Sequence, residues 1–129
     1  MRRYLPWAFW AALALTFVMA ALPHPPRIPG DPVDKLQHMA AFTVLTALAC
    51  AAWPAMSRLR LAIILSAFGA WIEVVQAIPA LHRDSDWRDW VADTAAILVT
   101  LAIAVVIERL MRGRQAEAAT LRNGTSRRQ

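Results

Sequence analysis

At 129 residues, 58% of them hydrophobic, the chain has the length of one domain but too much apolar side chain for one soluble core to hide. A net charge of +5 would suggest nucleic acid in a soluble protein. Here the arginines gather at the edges of apolar blocks and in the tail with no aromatic residue between them, which argues against a nucleic-acid partner. The single cysteine, Cys50, excludes a disulfide framework and a cysteine zinc site.

Four apolar blocks follow one another at 5–22, 36–55, 61–78 and 90–107. Each approaches the ~20 residues that a helix needs to cross the hydrocarbon. The expected fold is an all-α integral membrane protein, a bundle of four transmembrane helices formed by residues 1–108, with 109–129 as a basic, flexible cytoplasmic tail lacking fixed structure past Leu121. The first block follows Arg2 and Arg3 and closes on small residues, as a signal peptide would. Its length, with Trp7 and Trp10 as interface anchors, favours a retained helix. Pro23, Pro25, Pro26, Pro29 and Pro32, with Gly30, predict an extended loop to the second block. A short loop around Ser57, Arg58 and Arg60 joins the second and third blocks, and a polar stretch at 79–89 joins the third and fourth.

The basic residues set an orientation. Ten of the 14 Lys and Arg fall at the N-terminus, in the short loop or from Arg109 onward. The other two connections hold Arg27, Lys35, Arg83 and Arg88. The excess of basic residues places both termini and the short loop on the cytoplasmic side of the membrane. Ridges of small residues at four-residue spacing, Ala8, Ala12, Thr16 and Ala20 in the first block and Ala47, Ala51 and Ala55 in the second, allow close helix packing and leave a homo-oligomer open.

That topology gathers the acids. Seven of nine, Asp31, Asp34, Glu73, Asp84, Asp86, Asp89 and Asp93, fall at the outer end of the bundle. Asp34 and His38 share a helix face beside Lys35, Glu73 and Gln76 share another, and Asp86, Asp89 and Asp93 form a stripe. Part of that stripe also suits a helix cap. A charge inside a spanning helix is costly, so Glu73 should face the bundle interior, with Lys35 and Arg83 as available cations and His38 and Gln76 as hydrogen-bond partners. The candidate ligand-binding set is Asp34, Lys35, His38, Glu73, Gln76, Arg83, Asp89 and Asp93. The bland alternative is a buried polar knot that fixes helix register; His24 and His82 read as plain loop residues. Asp34, His38, Glu73, Asp89 and Asp93 could supply oxygen and imidazole ligands to a divalent ion, but signature metal-ligand spacing, a P-loop and a nucleophile elbow are all missing, so no metal or cofactor is expected.

The order of these pieces resembles the VanZ-like family of bacterial membrane proteins. The matching residues are D-K-x-x-H at Asp34, Lys35 and His38, then Phe42; E-x-x-Q at Glu73 and Gln76; Pro79 and Arg83; and D-W-x-A-D-T from Asp89 to Thr94. They span 34–102. Asp93 stands where family members often have Asn, and Ala95 and Ala96 where a Gly often follows. The family is named for a protein associated with teicoplanin resistance. The resemblance implies a role at the outer leaflet, linked to the cell envelope or to glycopeptide tolerance.

Three functions fit these residues. The first is a non-enzymatic protein binding an envelope lipid or an anionic headgroup, with Lys35 and Arg83 on phosphate. The second is a membrane enzyme on a lipid-linked envelope precursor, with Glu73 or Asp89 as general base and His38 as acid or base. The third is a small structural membrane subunit.

Overall fold

The structure, a computed structural model, describes residues 2–22, 32–82 and 85–126, with the side chains of residues 2, 32–34 and 120–126 left aside. Arg83, Asp84, His24 and the proline-rich connection therefore lie outside the described residues, as does the Asp34 side chain.

Four helices make up the described chain: α1 (Leu5–Ala21), α2 (Pro32–Ala52), α3 (Arg58–Gln76) and α4 (Trp87–Ser126). Short 3-10 turns at Arg2–Tyr4 and Pro79–Leu81 complete the regular structure. Prolines punctuate the sequence where their chemistry allows. Pro6 falls in the first turn of α1 and Pro32 opens α2, positions where a missing N–H costs nothing. Pro54 ends α2 three residues earlier than its apolar block, and Trp53 N–H still closes on the Ala49 carbonyl at 3.0 Å.

The starts differ from the block edges in an informative way. α2 begins at Pro32 rather than at 36, so Lys35 and His38 lie inside a helix instead of at its edge. Arg58 and Arg60, expected in a loop, belong to the first turn of α3, where the Ser57 hydroxyl caps the helix by accepting from Arg60 N–H at 3.3 Å. α4 begins at Trp87, three residues before its block, because Asp86 caps it: the Asp86 carboxylate accepts from Arg88 N–H at 2.9 Å. The third block ends at Gln76, not at Ile78.

α4 also continues well beyond its block. The tail expected to be flexible from 109, and without fixed structure past Leu121, is helical through Ser126, giving 40 residues and a length of ~60 Å. Its Ala, Arg, Glu, Gln, Leu and Met are strong helix formers, and Gly113 and Gly124 do not break the run.

α2 packs most extensively on α4, α3 also packs on α4, and α1 lies chiefly against α2. The core is built from Phe42, Leu45 and Ala49 of α2, Leu61, Leu65 and Ile72 of α3, Ile97 and Leu101 of α4, and Phe9 and Ala20 of α1. Outside it the helices present Trp7, Leu36, Ile63, Val74, Leu98 and Ile103, all more than half exposed. An exterior as apolar as the core suits lipid rather than water. α2, α3 and α4 are long and apolar enough to cross a membrane, and α1 is a shorter apolar helix of 17 residues.

At Gly69, α3 comes close to both α2 and α4. A methyl group there would lie 3.3 Å from Phe42 Cζ of α2, 3.5 Å from Trp90 Cδ1 of α4 and 3.7 Å from Asp93 Oδ2. Glycine is the residue that permits such an approach.

At the far end of the bundle, Arg58 of α3 pairs with Glu108 of α4, and Arg112 approaches the other Glu108 oxygen at 3.7 Å. This clamp ties the start of α3 to the middle of α4.

Candidate functional site

Five polar or charged side chains are buried among the described residues: His38, Thr46, Glu73, Gln76 and Asp93. Thr46 answers its own helix, donating to the Phe42 carbonyl at 2.7 Å. The other four belong to the set that the sequence singles out, and all lie near one end of the bundle. His38 and Asp93 are each six residues into their helices, about 9 Å from the ends, and Glu73 is about 4.5 Å from the end of α3.

α2 and α4 run in the same direction here, so their pairs step together. Lys35 Nζ lies 3.2 Å from Asp89 Oδ1, and one turn deeper His38 Nδ1–H donates to Asp93 Oδ2 at 3.3 Å. Residues three apart on α2 and four apart on α4 both turn back to the same face, which makes two polar rungs between the helices. The upper rung is partly open, with Lys35 31% and Asp89 13% exposed. The lower rung is closed, with Asp93 1% exposed. While Asp93 is ionised its carboxylate can only accept, and the proton of this contact is then on His38 Nδ1.

α3 and α1 close the other side. Ser85 Oγ donates to Glu73 Oε2 at 3.1 Å, and Gln76 Nε2 donates to the Ala20 carbonyl of α1 at 3.2 Å. Glu73 is thus met by neither Lys35 nor Gln76, two of the four partners expected for it: Lys35 goes to Asp89 and Gln76 to the Ala20 carbonyl of α1, while Arg83 lies outside the described residues. Glu73 and Asp93 nevertheless both lie within electrostatic reach of His38 and Asp89. Asp86 serves as the α4 cap, so the acidic stripe divides into one capping residue and two bridging residues.

Two oxygens are left over. Glu73 Oε1 and Asp93 Oδ1 are buried and have no hydrogen-bond partner. A buried acceptor in that condition costs about 1–3 kcal/mol, more when charged.

Beside this cluster a groove of about 400 Å³ runs between α1 and α2. Ala12, Leu15, Met19 and Val44 line its apolar length, and His38 and Gln37 form its polar wall. The small residues of the α1 ridge, Ala12, Thr16 and Ala20, leave this space between the helices.

Sequence reasoning missed several contributors. Ser85 looks like any loop serine. Trp90 Nε1–H reaches both the Ser66 carbonyl and Oγ at 3.1 Å, and Ser66 Oγ meets Thr94 Oγ1 at 2.9 Å, joining α3 to α4 beside the rungs. Gly69 carried a usable signal as the only glycine inside any of the four apolar blocks. No group of three His, Cys, Asp or Glu residues among the described ones is placed to hold a metal ion.

Exchanging the charges of the upper rung tests its arrangement. Lys35→Asp alone sets two carboxylates against each other at a half-exposed position and is expected to lower stability by about 1 kcal/mol. Lys35→Asp with Asp89→Lys should recover most of that, read as the thermal midpoint of the detergent-solubilised protein.

No family model, curated protein or solved structure matches the chain.

Proposed function

We propose that the chain is a four-span, VanZ-like protein of the bacterial cytoplasmic membrane that binds the headgroup of an envelope lipid at its outer end. Both termini lie in the cytoplasm, as the ten basic residues on that side favour. α1, at 17 residues, is about 26 Å long, and Tyr4, Trp7 and Trp10 at its start suit the inner interface. The observation that carries the reading is the continuity of groove and rungs. An apolar slot between two helices ends at His38, and the partly open Lys35–Asp89 pair lies one turn above it. A molecule with an alkyl chain and a charged head has the matching chemistry: the chain replaces lipid in the slot and the phosphate meets Lys35, with Arg83 of the same outer face as the second cation.

The test is the lipid that accompanies the purified full-length protein. Lys35→Gln and Arg83→Ala are each expected to lower co-purifying phosphate-bearing lipid about 10-fold at unchanged membrane abundance. An unchanged lipid content in both variants would overturn headgroup binding. The envelope role implied by the resemblance is then read as glycopeptide susceptibility of cells carrying the same variants.

The His38–Asp93 dyad favours a second reading, a membrane enzyme acting on a lipid-linked envelope precursor. A carboxylate that holds an imidazole by Nδ1–H orients it for proton transfer at Nε2. Function that persists in His38→Gln with normal abundance would end this alternative.

A further inference from the structure

We infer that the lipid bound at this end carries a primary amine beside its phosphate. The inference rests on the headgroup reading above and names the chemical class of the headgroup.

Charge is the first argument. Among the described side chains this end of the bundle holds the carboxylates of Glu73, Asp86, Asp89 and Asp93 against the cations Lys35 and Arg88, so a headgroup that brings only negative charge meets a surface short of cations. Lys35, the described cation closest to the rungs, is already engaged by Asp89 at 3.2 Å.

The second argument is hydrogen bonding. Glu73 Oε1 and Asp93 Oδ1 are buried without a donor, in side chains 8% and 1% exposed. Neighbouring side-chain donors serve other atoms, and the Asp86 N–H, which reaches the Glu73 carboxylate, leaves Oε1 without a partner. Gln76 Nε2 serves the Ala20 carbonyl, the one Ser85 hydroxyl proton serves Glu73 Oε2, and Trp90 serves Ser66. The two oxygens therefore call for a donor brought from outside the bundle. A metal ion is a poor fit, because the described residues offer no three-ligand group. A primary ammonium suits both needs: it has three N–H donors and a positive charge, like the head of a lysine. A quaternary ammonium has the charge but no N–H. A glycerol head has O–H donors but no charge to offset the acids.

The two halves of such a headgroup fall to different residues. The phosphate meets Lys35 at the open rung, the amine meets the carboxylates of Glu73 and Asp93, and one chain follows the groove past Gln37 and Val44. Recognition of this kind selects a zwitterionic lipid by its donors rather than by net charge.

The experiment is native mass spectrometry of the full-length protein titrated with phosphatidylethanolamine, phosphatidylcholine and phosphatidylglycerol of identical acyl chains. Phosphatidylethanolamine is expected to bind about 10-fold more tightly than either of the others. Glu73→Gln should erase that preference while leaving the weaker, phosphate-dependent binding, whereas Lys35→Gln should weaken all three lipids. If phosphatidylglycerol or phosphatidylcholine equals phosphatidylethanolamine on the wild-type protein, amine recognition is overturned and headgroup binding stands. If all three bind only at background, the headgroup reading falls with it. A Glu73→Gln variant that keeps the full preference also overturns the assignment to these carboxylates. Should that variant not accumulate, the wild-type lipid series decides alone.

Discussion

Replacing His38 with alanine is expected to remove most of the folded protein, at a cost of about 3–5 kcal/mol. The reason lies in what stays behind. Asp93 is 1% exposed, one of its oxygens already lacks a partner, and His38 supplies the hydrogen bond to the other. Without the imidazole, a carboxyl group is held in an apolar bundle with no donor among the described residues. Removing both groups is a different experiment. In His38→Leu with Asp93→Leu the buried polar pair becomes apolar, and substitutions of that kind are often neutral or stabilising. The double variant should therefore recover much of the loss, although it forfeits lipid selectivity. Thermal unfolding in detergent and membrane abundance by blot measure both variants. A single His38→Ala protein with wild-type stability would mean that Asp93 finds another partner and that the lower rung holds nothing together.

Gly69→Leu should have the second-largest effect, a loss of about 3 kcal/mol or more. Even a methyl group at this position touches Phe42 at 3.3 Å and Trp90 at 3.5 Å, and Phe42 is completely buried. An isobutyl group has no free volume to enter, so α3 must move away from α2 and α4. That displacement also reaches the lower rung, since Asp93 Oδ2 is 3.7 Å from the same methyl position. Gly69→Ala is the milder control. Its gain in helix propensity, about 1 kcal/mol, opposes a contact that a small shift of the Phe42 ring relieves, and the net change should stay within about 1 kcal/mol. A Gly69→Leu protein that unfolds at the wild-type temperature would refute the close three-helix approach.

Much of this arrangement was legible before any coordinates, and for one physical reason. An ionisable group in an apolar block is expensive unless it turns inward, so Glu73 announces an interior position by being there at all, whereas Asp93, read as one member of an acidic stripe, proves the more deeply buried of the two. His38 and Gln76 followed from helical spacing. Partner choice was not legible in the same way. Whether Lys35 meets Glu73 or Asp89 depends on how α2 is rotated and set against α4, and a rotation of one residue, 100°, exchanges one neighbour for another. Spacing along one helix carries no information about that angle. Nor does it reveal Ser85, whose hydroxyl reaches Glu73 only because the connection after α3 folds back over the bundle end. Helix ends were misread where polar residues continue a helix beyond its apolar block: Asp34 and Lys35 at the start of α2, Arg58 at the start of α3, and the whole run after Arg109. A block finder measures solubility in lipid, and a helix asks only for propensity and caps.

The 40-residue length of α4 has a mechanical meaning. The helix bears Asp89 and Asp93 near one end and Glu108, gripped by Arg58 and Arg112, about 22 Å further along. An unbroken helix transmits torque. Any twist that a bound molecule applies at the rungs must either strain the grip at Glu108 or carry it round, and the arginine-bearing segment beyond would swing as the end of the same lever. Gly113 lies on that lever beyond the grip, where nothing comes within 4 Å of an added methyl group.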